Sequence, residues 1–407
     1  MGSLQFCTCA SAEYLPFVRV LARSIGRHHP GRRLKVLLCY DLEHRLDVAD
    51  EPFDAYWNDV LGLDEPELHR QYLMHGANFM AAAKPHFLQH LVRSTGEPTL
   101  YVDADVAVYA NLDDLGALIE RSGTLLSPHL LAPLPDDGLQ PDDTTILSAG
   151  VYNAGLLGVG AGGQGALELL NAKLRRECIT APQQMRVNEQ RWLDLVPAVA
   201  SATVLKDPGV NAAYWNLHER PLEVRDGVIH AGEVPLRAFH FSGYRFETPD
   251  VLSVYGGGPR ARITLADQPL LRALAEAFRA EVIAEGWRPV SPGTVFDELP
   301  GGIPVDVALR EAYRRSVIAA EQAGEAVPPD GYDPGSRDAF LAWARELYVR
   351  SGAAIPSWAR SAPAESAPAP PVADNELGDA LRSLAAATSA AVAQLDERLR
   401  HLEGRLA

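Results

Sequence analysis

Two aspartates interrupt an apolar stretch that runs from Thr99 to Val108 and could do chemistry there. Asp103 and Asp105 stand two residues apart, so on an extended strand both side chains would point to the same side. An ionised carboxylate is costly to bury unless it is paired or bound to a metal. Hard oxygen ligands of this kind suit Mg²⁺ or Mn²⁺, which share their coordination shell with phosphates and water. The stretch predicts either a metal site on a buried strand or a strand end with two solvated acids.

The composition excludes several classes of protein. The formal net charge is −16, so a broad electrostatic contact with nucleic acid or with an anionic membrane is not expected. No apolar segment approaches the length of a membrane span, and the N-terminus has no basic region followed by an apolar one. The four cysteines lack the spacing of a zinc finger, which predicts reduced, buried thiols in a cytoplasmic protein.

Predicted strands alternate with predicted helices over the first 250 residues. This pattern indicates a mostly parallel sheet flanked by helices, in which ligands bind beyond the carboxyl ends of the strands. The strands are expected at 4–9, 34–39, 55–57, 99–108, 124–127 and 150–159, and the helices at 14–27, 81–92, 112–120 and 166–178, with a further helix that opens at 187–193 and ends before Pro197. Residues 132–144 are rich in Pro and Asp and predict a loop, a candidate cover for the site.

The remainder of the chain divides by composition into three parts. Residues 251–360 contain three helical patterns and predict a helical appendage. Residues 361–375 are rich in Ala, Pro and Ser and predict a linker. Residues 376–407 carry leucines at an interrupted heptad spacing, which predicts either a coiled coil that assembles a homo-oligomer or a lone amphipathic helix.

Five features of the first 250 residues follow one another in an order that identifies a family by resemblance. They are a strand–helix start ending in Tyr14, Tyr101-x-Asp103-Ala104-Asp105, Tyr152-Asn153-x-Gly155, the acid–Gln pair Glu189-Gln190, and the turn His240-x-x-Gly243. Together they resemble the GT-A fold glycosyltransferases, and within them the retaining glycogenin and bacterial lipooligosaccharide galactosyltransferase family. The segments at 213–217 and around His240 are similar to a bacterial subgroup of uncharacterised transferases.

The resemblance implies both a fold and an activity. The fold would be the GT-A Rossmann-like mixed sheet over residues 1–250, flanked by helices. The activity would be metal-dependent transfer of a sugar, a hexose with retention, from a nucleotide-diphosphate sugar. A UDP-sugar is the expected donor, and the acceptor would be a glycan, a lipid-linked group or another hydroxyl.

The resemblance also implies the roles of particular residues. Asp103, Asp105 and His240 would bind Mn²⁺ or Mg²⁺, which would bridge the donor diphosphate. Gln190 would lie near the anomeric carbon and act in catalysis together with Asp105. The residues expected to bind the donor are Thr8, Cys9, Ala10, Ser11, Tyr14, Lys84, Asp103, Ala104, Asn153, Glu189 and Gly243.

Three positions depart from the family pattern. Ser11 stands where the family has an acid that reads uracil, which leaves the donor base open. Phe246 stands where the family often has a lysine, and Arg245 beside it is the candidate substitute. Glu189 replaces the aspartate that usually precedes the glutamine.

Simpler interpretations of the same residues stay open at this point. His240 could be a core histidine, Asn153 could cap a strand end, and Gln190 could be a solvated helix residue. An Asp-x-Asp phosphohydrolase with a nucleophilic first aspartate is a second possible function, although Ala107 fills a position where such enzymes carry Thr or Val. A sugar-nucleotide-binding scaffold without catalysis is the third.

Overall fold

The computed structural model describes residues 4–39, 47–179, 189–289, 297–351 and 355–360. Within them the chain forms two compact units. Of the described residues, unit 1 comprises 4–39, 47–63, 78–179 and 189–289, and unit 2 comprises 64–77, 297–351 and 355–360. The linker and tail predicted at 361–375 and 376–407 lie outside the described residues.

Strands and helices alternate through most of unit 1, as the sequence predicts. The strands are β1 (Gln5–Ala10), β2 (Leu34–Leu38), β3 (Phe53–Tyr56), β4 (Thr99–Val102), β5 (Val106–Val108), β6 (Thr124–Pro128), β7 (Tyr152–Val159), β8 (Thr203–Val204), β9 (Leu222–Arg225), β10 (Val228–Ala231), β11 (Val234–Pro235), β12 (Ala238–His240), β13 (Glu298–Leu299) and β14 (Ile303–Pro304). The α-helices are α1 (Leu15–His28), α2 (Glu65–His75), α3 (Phe79–Thr95), α4 (Asp114–Ser122), α5 (Asp143–Ala149), α6 (Gln164–Glu177), α7 (Glu189–Leu193), α8 (Val196–Val199), α9 (Pro269–Ala284), α10 (Val307–Ala323), α11 (Arg337–Ser351) and α12 (Ser357–Arg360).

A seven-stranded mixed sheet organises unit 1 in the strand order β3-β2-β1-β4-β7-β6-β8. The strands β3, β2, β1 and β4 are mutually parallel, whereas β7 runs antiparallel to both β4 and β6. Helices α1, α3 and α4 pack against these strands. The predicted fold class, a mixed α/β sheet flanked by helices, is therefore confirmed.

The sheet is held by an apolar core that its strand sequences supply. All six residues of β1 are buried, which fits a strand covered on both faces. Helix α1 buries Val18, Leu21 and Ile25, whose spacing places them on one helical face. These side chains pack with the apolar residues of the central strands in one continuous cluster. The core thereby brings the carboxyl ends of β1 and β4 side by side.

Helix α9 shows where the composition boundary at residue 250 departs from the structure. The helix belongs to unit 1, although the predicted appendage began at residue 251. The reason is its apolar face: the ring of Phe278 stacks on Phe241 with a centroid distance of 3.9 Å, and both join the cluster around Phe246. Aromatic contacts between α9 and residues earlier in the chain therefore place the helix in unit 1.

Unit 2 contains a helix that comes from the middle of unit 1 in sequence. Helix α2 packs against α10 through Leu73 and Met74. The guanidinium of Arg310 donates to the carbonyl oxygens of Tyr72 and Leu73 at 3.0 and 3.1 Å, which satisfies part of the carboxyl end of α2.

The Pro- and Asp-rich loop predicted at 132–144 is observed up to Asp142, the N-cap of α5, which begins at Asp143. Arg262 holds this loop: its guanidinium pairs with Asp137 and donates to the carbonyl oxygens of Leu139 and Pro141, both at 3.3 Å. The helix α5 that follows was not predicted from the sequence.

None of the described helices is both long and apolar enough to cross a membrane.

Candidate functional site

The two aspartates of the motif lie in a turn between two strands, not within one strand. Strand β4 ends at Val102, the amide of Val106 donates to the carbonyl oxygen of Asp103 at 3.1 Å, and β5 begins at Val106. The prediction of one strand over 99–108 is therefore wrong. The physical reason is that the two halves pair differently, since β4 lies in the large sheet while β5 pairs with β12.

His240 reaches the aspartates because β12 runs antiparallel to β5. His240 is the register partner of Val106, and the amide of Phe241 donates to the carbonyl oxygen of Asp105 at 2.9 Å. The imidazole Nε2 then lies 3.0 Å from Asp105 Oδ1 and 3.9 Å from Asp103 Oδ2. One ligand atom from each of the three residues falls within 4.8 Å of the others. Two carboxylate oxygens and one imidazole nitrogen at this spacing could hold a divalent cation.

Gly155 on β7 keeps the space beside these three residues open. A Cβ at this position would overlap His240 Cε1, and it would lie only 2.7 Å from Asp103 Oδ2 and 2.8 Å from Asn153 Oδ1. The Gly155 carbonyl oxygen accepts from the amide of Asp103 at 2.8 Å, so the same glycine also fixes the start of the turn. Gly155 belongs to the Tyr152-Asn153-x-Gly155 motif of the sequence, but only the structure shows that a side chain at this position would fill the site.

The electrostatics of the cluster are those of a site with excess negative charge. Burial alone would lower the pKa of His240, but the Asp105 carboxylate raises it above its ordinary value. Burial alone would raise the pKa of Asp103, but Lys84 and His240 lower it. Both carboxylates keep about a quarter to a third of their side-chain surface exposed, at 33% for Asp103 and 26% for Asp105. A cation can therefore reach the carboxylates and compensate their mutual repulsion.

Lys84 lies beneath the aspartate turn, and it is 2% exposed. Its ammonium donates to Glu189 Oε1 at 2.8 Å and to the carbonyl oxygen of Ala154 at 2.9 Å, and it lies 3.6 Å from Asp103 Oδ1. Burial would lower the pKa of Lys84, but Asp103 and Glu189 raise it. In this structure Lys84 acts on the site through Asp103 and Glu189, and its predicted contact with the donor stays a prediction.

A chain of amides forms the wall of the site next to the aspartates. Asn153 Nδ2 donates to Gln190 Oε1 at 3.0 Å, and Gln190 Nε2 donates to the carbonyl oxygen of Ala149 at 2.9 Å. The amide of Gly155 donates to Asn153 Oδ1 at 3.1 Å. Backbone groups at both ends thus determine how each side-chain amide is oriented. Asn153 and Gln190 are thus in contact, while Glu189 and Asp103 share the neighbour Lys84. The predicted roles of Asn153, Glu189 and Gln190 at the sugar stay predictions.

The residues predicted to bind the donor at the end of β1 are buried near the aspartate turn. Thr8, Cys9, Ala10 and Ser11 follow β1 to its carboxyl end, next to β4 in the sheet. The hydroxyl oxygens of Thr8 and Ser11 have no hydrogen-bond partner among the described residues. Ala104, which occupies the turn itself, is also buried.

Tyr14 is partly exposed at the start of α1. Its ring lies 5.7 Å from that of Phe17, centroid to centroid. Burial raises the pKa of Tyr14 to about 12, the charge of Asp105 adds to this rise, and Arg245 opposes it. The tyrosine hydroxyl therefore stays protonated at neutral pH.

Gly243 turns the chain directly after His240. Its φ is +70°, and a Cβ there would meet Ser253 Oγ and the ring of Tyr255 at 2.6 Å, so the close approach requires glycine. Phe246 is buried and stacks on Phe17 with a centroid distance of 5.3 Å, so it belongs to the core. Arg245 is exposed beside it.

Three residues around His240 were not singled out from the sequence. Asn211 lies 3.2 Å from His240 Nδ1 through its Oδ1, and Trp215 packs edge-on against the imidazole with a centroid distance of 5.3 Å. His129 lies 3.4 Å from Asn153 Nδ2, and burial lowers its pKa to about 4, so it is neutral. The Asn-, Gly- and aromatic-rich stretch at 207–217 was the available sequence signal for two of them.

Known proteins resemble this chain in sequence and in structure. No protein-family model matches the sequence. An uncharacterised Bacillus subtilis (strain 168) protein, YfnD, is 23% identical over 261 residues, covering 61% of this chain and 80% of its own length.

Two solved glycosyltransferases are similar in structure. The glycosyltransferase GlyE of Streptococcus pneumoniae TIGR4 matches with a TM-score of 0.39 and 14% identity over 73% of this chain and 68% of that one. The galactosyltransferase LgtC, solved in complex with donor and acceptor sugar analogues, matches with a TM-score of 0.40 and 15% identity over 70% of this chain and 97% of that one. At these scores and identities the likeness carries no conclusion about activity, which depends on the site itself.

Proposed function

We propose that this chain is a metal-dependent glycosyltransferase that moves a sugar from a nucleotide-diphosphate sugar to a hydroxyl acceptor. One observation carries the proposal: Asp103, Asp105 and His240 converge beside the ends of β1 and β4, next to the amide wall of Asn153 and Gln190. In this proposal a set of cation ligands lies against a wall of neutral hydrogen-bonding groups. A diphosphate and a sugar need these two kinds of surface side by side.

The proposed cation is Mn²⁺ or Mg²⁺, held by Asp103, Asp105 and His240. When bound, such a cation stabilises the negative charge that develops on a diphosphate leaving group. The work of the chain is then positional. The Gly155 carbonyl and the β5–β12 pairing hold Asp103 and Asp105 in place, while Lys84 keeps Asp103 ionised and holds the Glu189 side chain through a hydrogen bond.

The donor is proposed to lie across the ends of β1 and β4. Thr8 to Ser11 and Tyr14 would contact the nucleoside, with the backbone of Ala104 near the ribose. UDP is the expected nucleotide, but Ser11 presents a neutral hydroxyl where a carboxylate would select a base N–H group. Arg245, exposed beside the Gly243 turn, is proposed to face the diphosphate in place of the family's lysine.

The sugar is proposed to lie against Asn153, Glu189 and Gln190. Both polar ends of the Gln190 amide are engaged, by Asn153 and Ala149, so its orientation is set before any ligand binds. Gln190 would then lie near the anomeric carbon, and transfer would proceed with retention of configuration on a hexosyl donor. A glycan, a lipid-linked group or another hydroxyl would accept the sugar.

The compartment proposed for this reaction is the cytoplasm. The cysteines Cys7, Cys9, Cys39 and Cys178 are free and buried, as reduced thiols would be. The predicted assembly of a homo-oligomer through residues 376–407 stays a prediction.

Calorimetric titration of a panel of nucleotide-diphosphate sugars, with and without Mn²⁺, tests the proposal. We expect one donor to bind only when Mn²⁺ is present and to be slowly hydrolysed to free sugar and nucleotide diphosphate. NMR of the released or transferred sugar would then decide retention or inversion. Metal-independent binding of every donor would contradict the metal site, and metal-dependent binding without turnover would favour the non-catalytic scaffold. Release of phosphate from a phosphomonoester, with no reaction of any sugar nucleotide, would favour the phosphohydrolase.

A further inference from the structure

Asn211 occupies a strained and buried position beside the metal cluster. It is 1% exposed, and its φ of +58° lies in the left-handed region, which residues other than glycine rarely adopt. The flanking backbone is tied to β12: the amide of Ala212 donates to the carbonyl oxygen of Ala238 at 3.1 Å, and the amide of His240 donates to that of Ala212 at 2.8 Å. The segment therefore presents the Asn211 side chain directly to the histidine.

The orientation of the Asn211 amide follows from its partners. Its Nδ2 donates to Ser127 Oγ at 2.9 Å and to Asn153 Oδ1 at 3.1 Å. Asn153 Oδ1 must be an acceptor because the backbone amide of Gly155 also donates to it. The remaining atom of Asn211, Oδ1, therefore faces His240 Nδ1 at 3.2 Å.

This arrangement determines which nitrogen of His240 is available. An oxygen acceptor opposite Nδ1 requires that Nδ1 carries the hydrogen. In the neutral imidazole, Nε2 then has the free lone pair, and Nε2 is the atom that faces Asp105 at 3.0 Å. Trp215 packs against the ring with its edge and limits how the ring can rotate.

We infer that Asn211 is the positioning residue for the metal centre: its Oδ1 selects the Nδ1–H tautomer of His240 and aims Nε2 at the cation. The inference rests on the proposed function and deepens it. The Asn211 amide also donates a hydrogen bond to Asn153 and so links the proposed metal ligand His240 to the amide wall of Asn153 and Gln190. Partners of this kind to a ligating histidine typically change metal affinity by 10- to 100-fold when they are removed.

The test compares metal binding by three variants in the absence of any donor. Asn211→Gly removes the amide and leaves the left-handed backbone unstrained. Asn211→Asp keeps an oxygen acceptor opposite Nδ1. Asp226→Gly is the matched control, because Asp226 is the other described non-glycine residue with a positive φ, at 50°, and it lies exposed in the β9–β10 turn. Co²⁺, which favours imidazole, and Ca²⁺, which favours oxygen ligands, are titrated into each protein by calorimetry.

We expect Asn211→Gly to bind Co²⁺ about 10- to 100-fold more weakly than the wild type. Its Ca²⁺ affinity should change much less, because Asp103 and Asp105 are untouched. Asn211→Asp should keep Co²⁺ binding at the wild-type level or tighter, and Asp226→Gly should match the wild type for both ions. In a His240→Ala background, Asn211→Gly should have no further effect on Co²⁺.

Several results would overturn the inference. Unchanged Co²⁺ binding by Asn211→Gly, or an equal loss for Co²⁺ and Ca²⁺, would give Asn211 a merely structural role. If Asn211→Gly did not fold, a loss of more than about tenfold in Co²⁺ affinity by folded Asn211→Asp would have the same meaning. These outcomes differ from failure of the proposed function, in which the wild type itself would bind neither ion.

Discussion

Two histidine–carboxylate pairs in this chain have similar contact distances and different surroundings. In unit 1, His240 Nε2 lies 3.0 Å from Asp105 Oδ1. In unit 2, His69 Nδ1 lies 2.8 Å from Asp330 Oδ2. Partner charge raises the pKa of both histidines against the opposite effect of burial. Distance and pKa alone would therefore assign the two pairs the same role.

The groups around each pair separate them. His240 faces a second carboxylate, Asp103, and its other ring nitrogen is held by Asn211. Two carboxylates lie within 4.0 Å of His69, and the first, Asp330, also accepts from the backbone amide of Tyr332 at 2.8 Å through its other oxygen. The second, Glu65, is 3.9 Å away and 82% exposed. The proposed cation site thus differs from the His69–Asp330 pair in the lower exposure of its second carboxylate and in the Asn211 contact of its imidazole.

The largest expected effect comes from removing one charge at the first pair. Asp105→Asn keeps the shape of the side chain and removes one anionic ligand. We expect Mn²⁺ affinity to fall more than about 100-fold, because changes to the partners of ligands alone already cost 10- to 100-fold. Metal-dependent donor binding should be lost with it. Calorimetry of Mn²⁺ and donor on the variant measures both, with Asp330→Asn as the matched control. Wild-type donor binding by Asp105→Asn would remove the main support for the proposed function.

The next effect concerns the wall beside the first pair. Gln190→Ala removes the amide proposed to lie near the anomeric carbon, where positive charge develops as the glycosidic bond breaks. We expect kcat for donor turnover to fall about 100-fold, as happens when one oriented polar group is removed from an active site. Donor affinity should change much less, since the contact strengthens only in the transition state. Normal turnover by the variant would identify Gln190 as an ordinary helix residue.

A smaller effect is expected from the histidine itself. His240→Ala removes a neutral ligand, which contributes less electrostatically than a carboxylate. We expect Mn²⁺ affinity to fall about 10- to 100-fold, no less than when the histidine's partner Asn211 is removed. That loss should be smaller than the loss in Asp105→Asn. Titration of Mn²⁺ into both variants in one series compares the two losses. An equal or greater loss of affinity in His240→Ala would show that the imidazole contributes at least as much to Mn²⁺ binding as the Asp105 carboxylate.

Local spacing explains how much of this site the sequence could predict. Asp103 and Asp105 are two residues apart, so their proximity follows from the chain itself. His240 is distant in sequence and meets them only through the antiparallel pairing of β5 with β12. Its inclusion among the candidates depended on the family resemblance, because no local pattern indicates that pairing. The roles of these residues stay predictions until metal and donor binding are measured.

Pairing beyond the local sequence also accounts for the errors. Val106 to Val108 resume the apolar run after the two aspartates, which favoured one continuous strand over two strands joined by a turn. Helix α2 carries Leu73 and Met74 toward apolar residues of α10, far along the chain, and this assigns it to unit 2. Asn211 was missed because its significance lies in side-chain contacts with residues from β6, β7 and β12.

The smallest expected effect belongs to the second pair and concerns stability rather than binding. The pKa of His69 is raised in the folded state, so its ion pair with Asp330 contributes fully below the ordinary histidine pKa of about 6.5. The contribution is lost as the pH rises through the raised folded-state value. Asp330→Asn should therefore destabilise unit 2 by about 1 kcal/mol at pH 6 and by much less at pH 9. Hydrogen exchange of the α2 amides at the two pH values measures this locally, which avoids assuming that both units unfold together. Mn²⁺ binding by Asp330→Asn should equal that of the wild type. If the variant instead lost Mn²⁺ affinity, or lost equal stability at both pH values, the contrast between the two histidine–carboxylate pairs would fail.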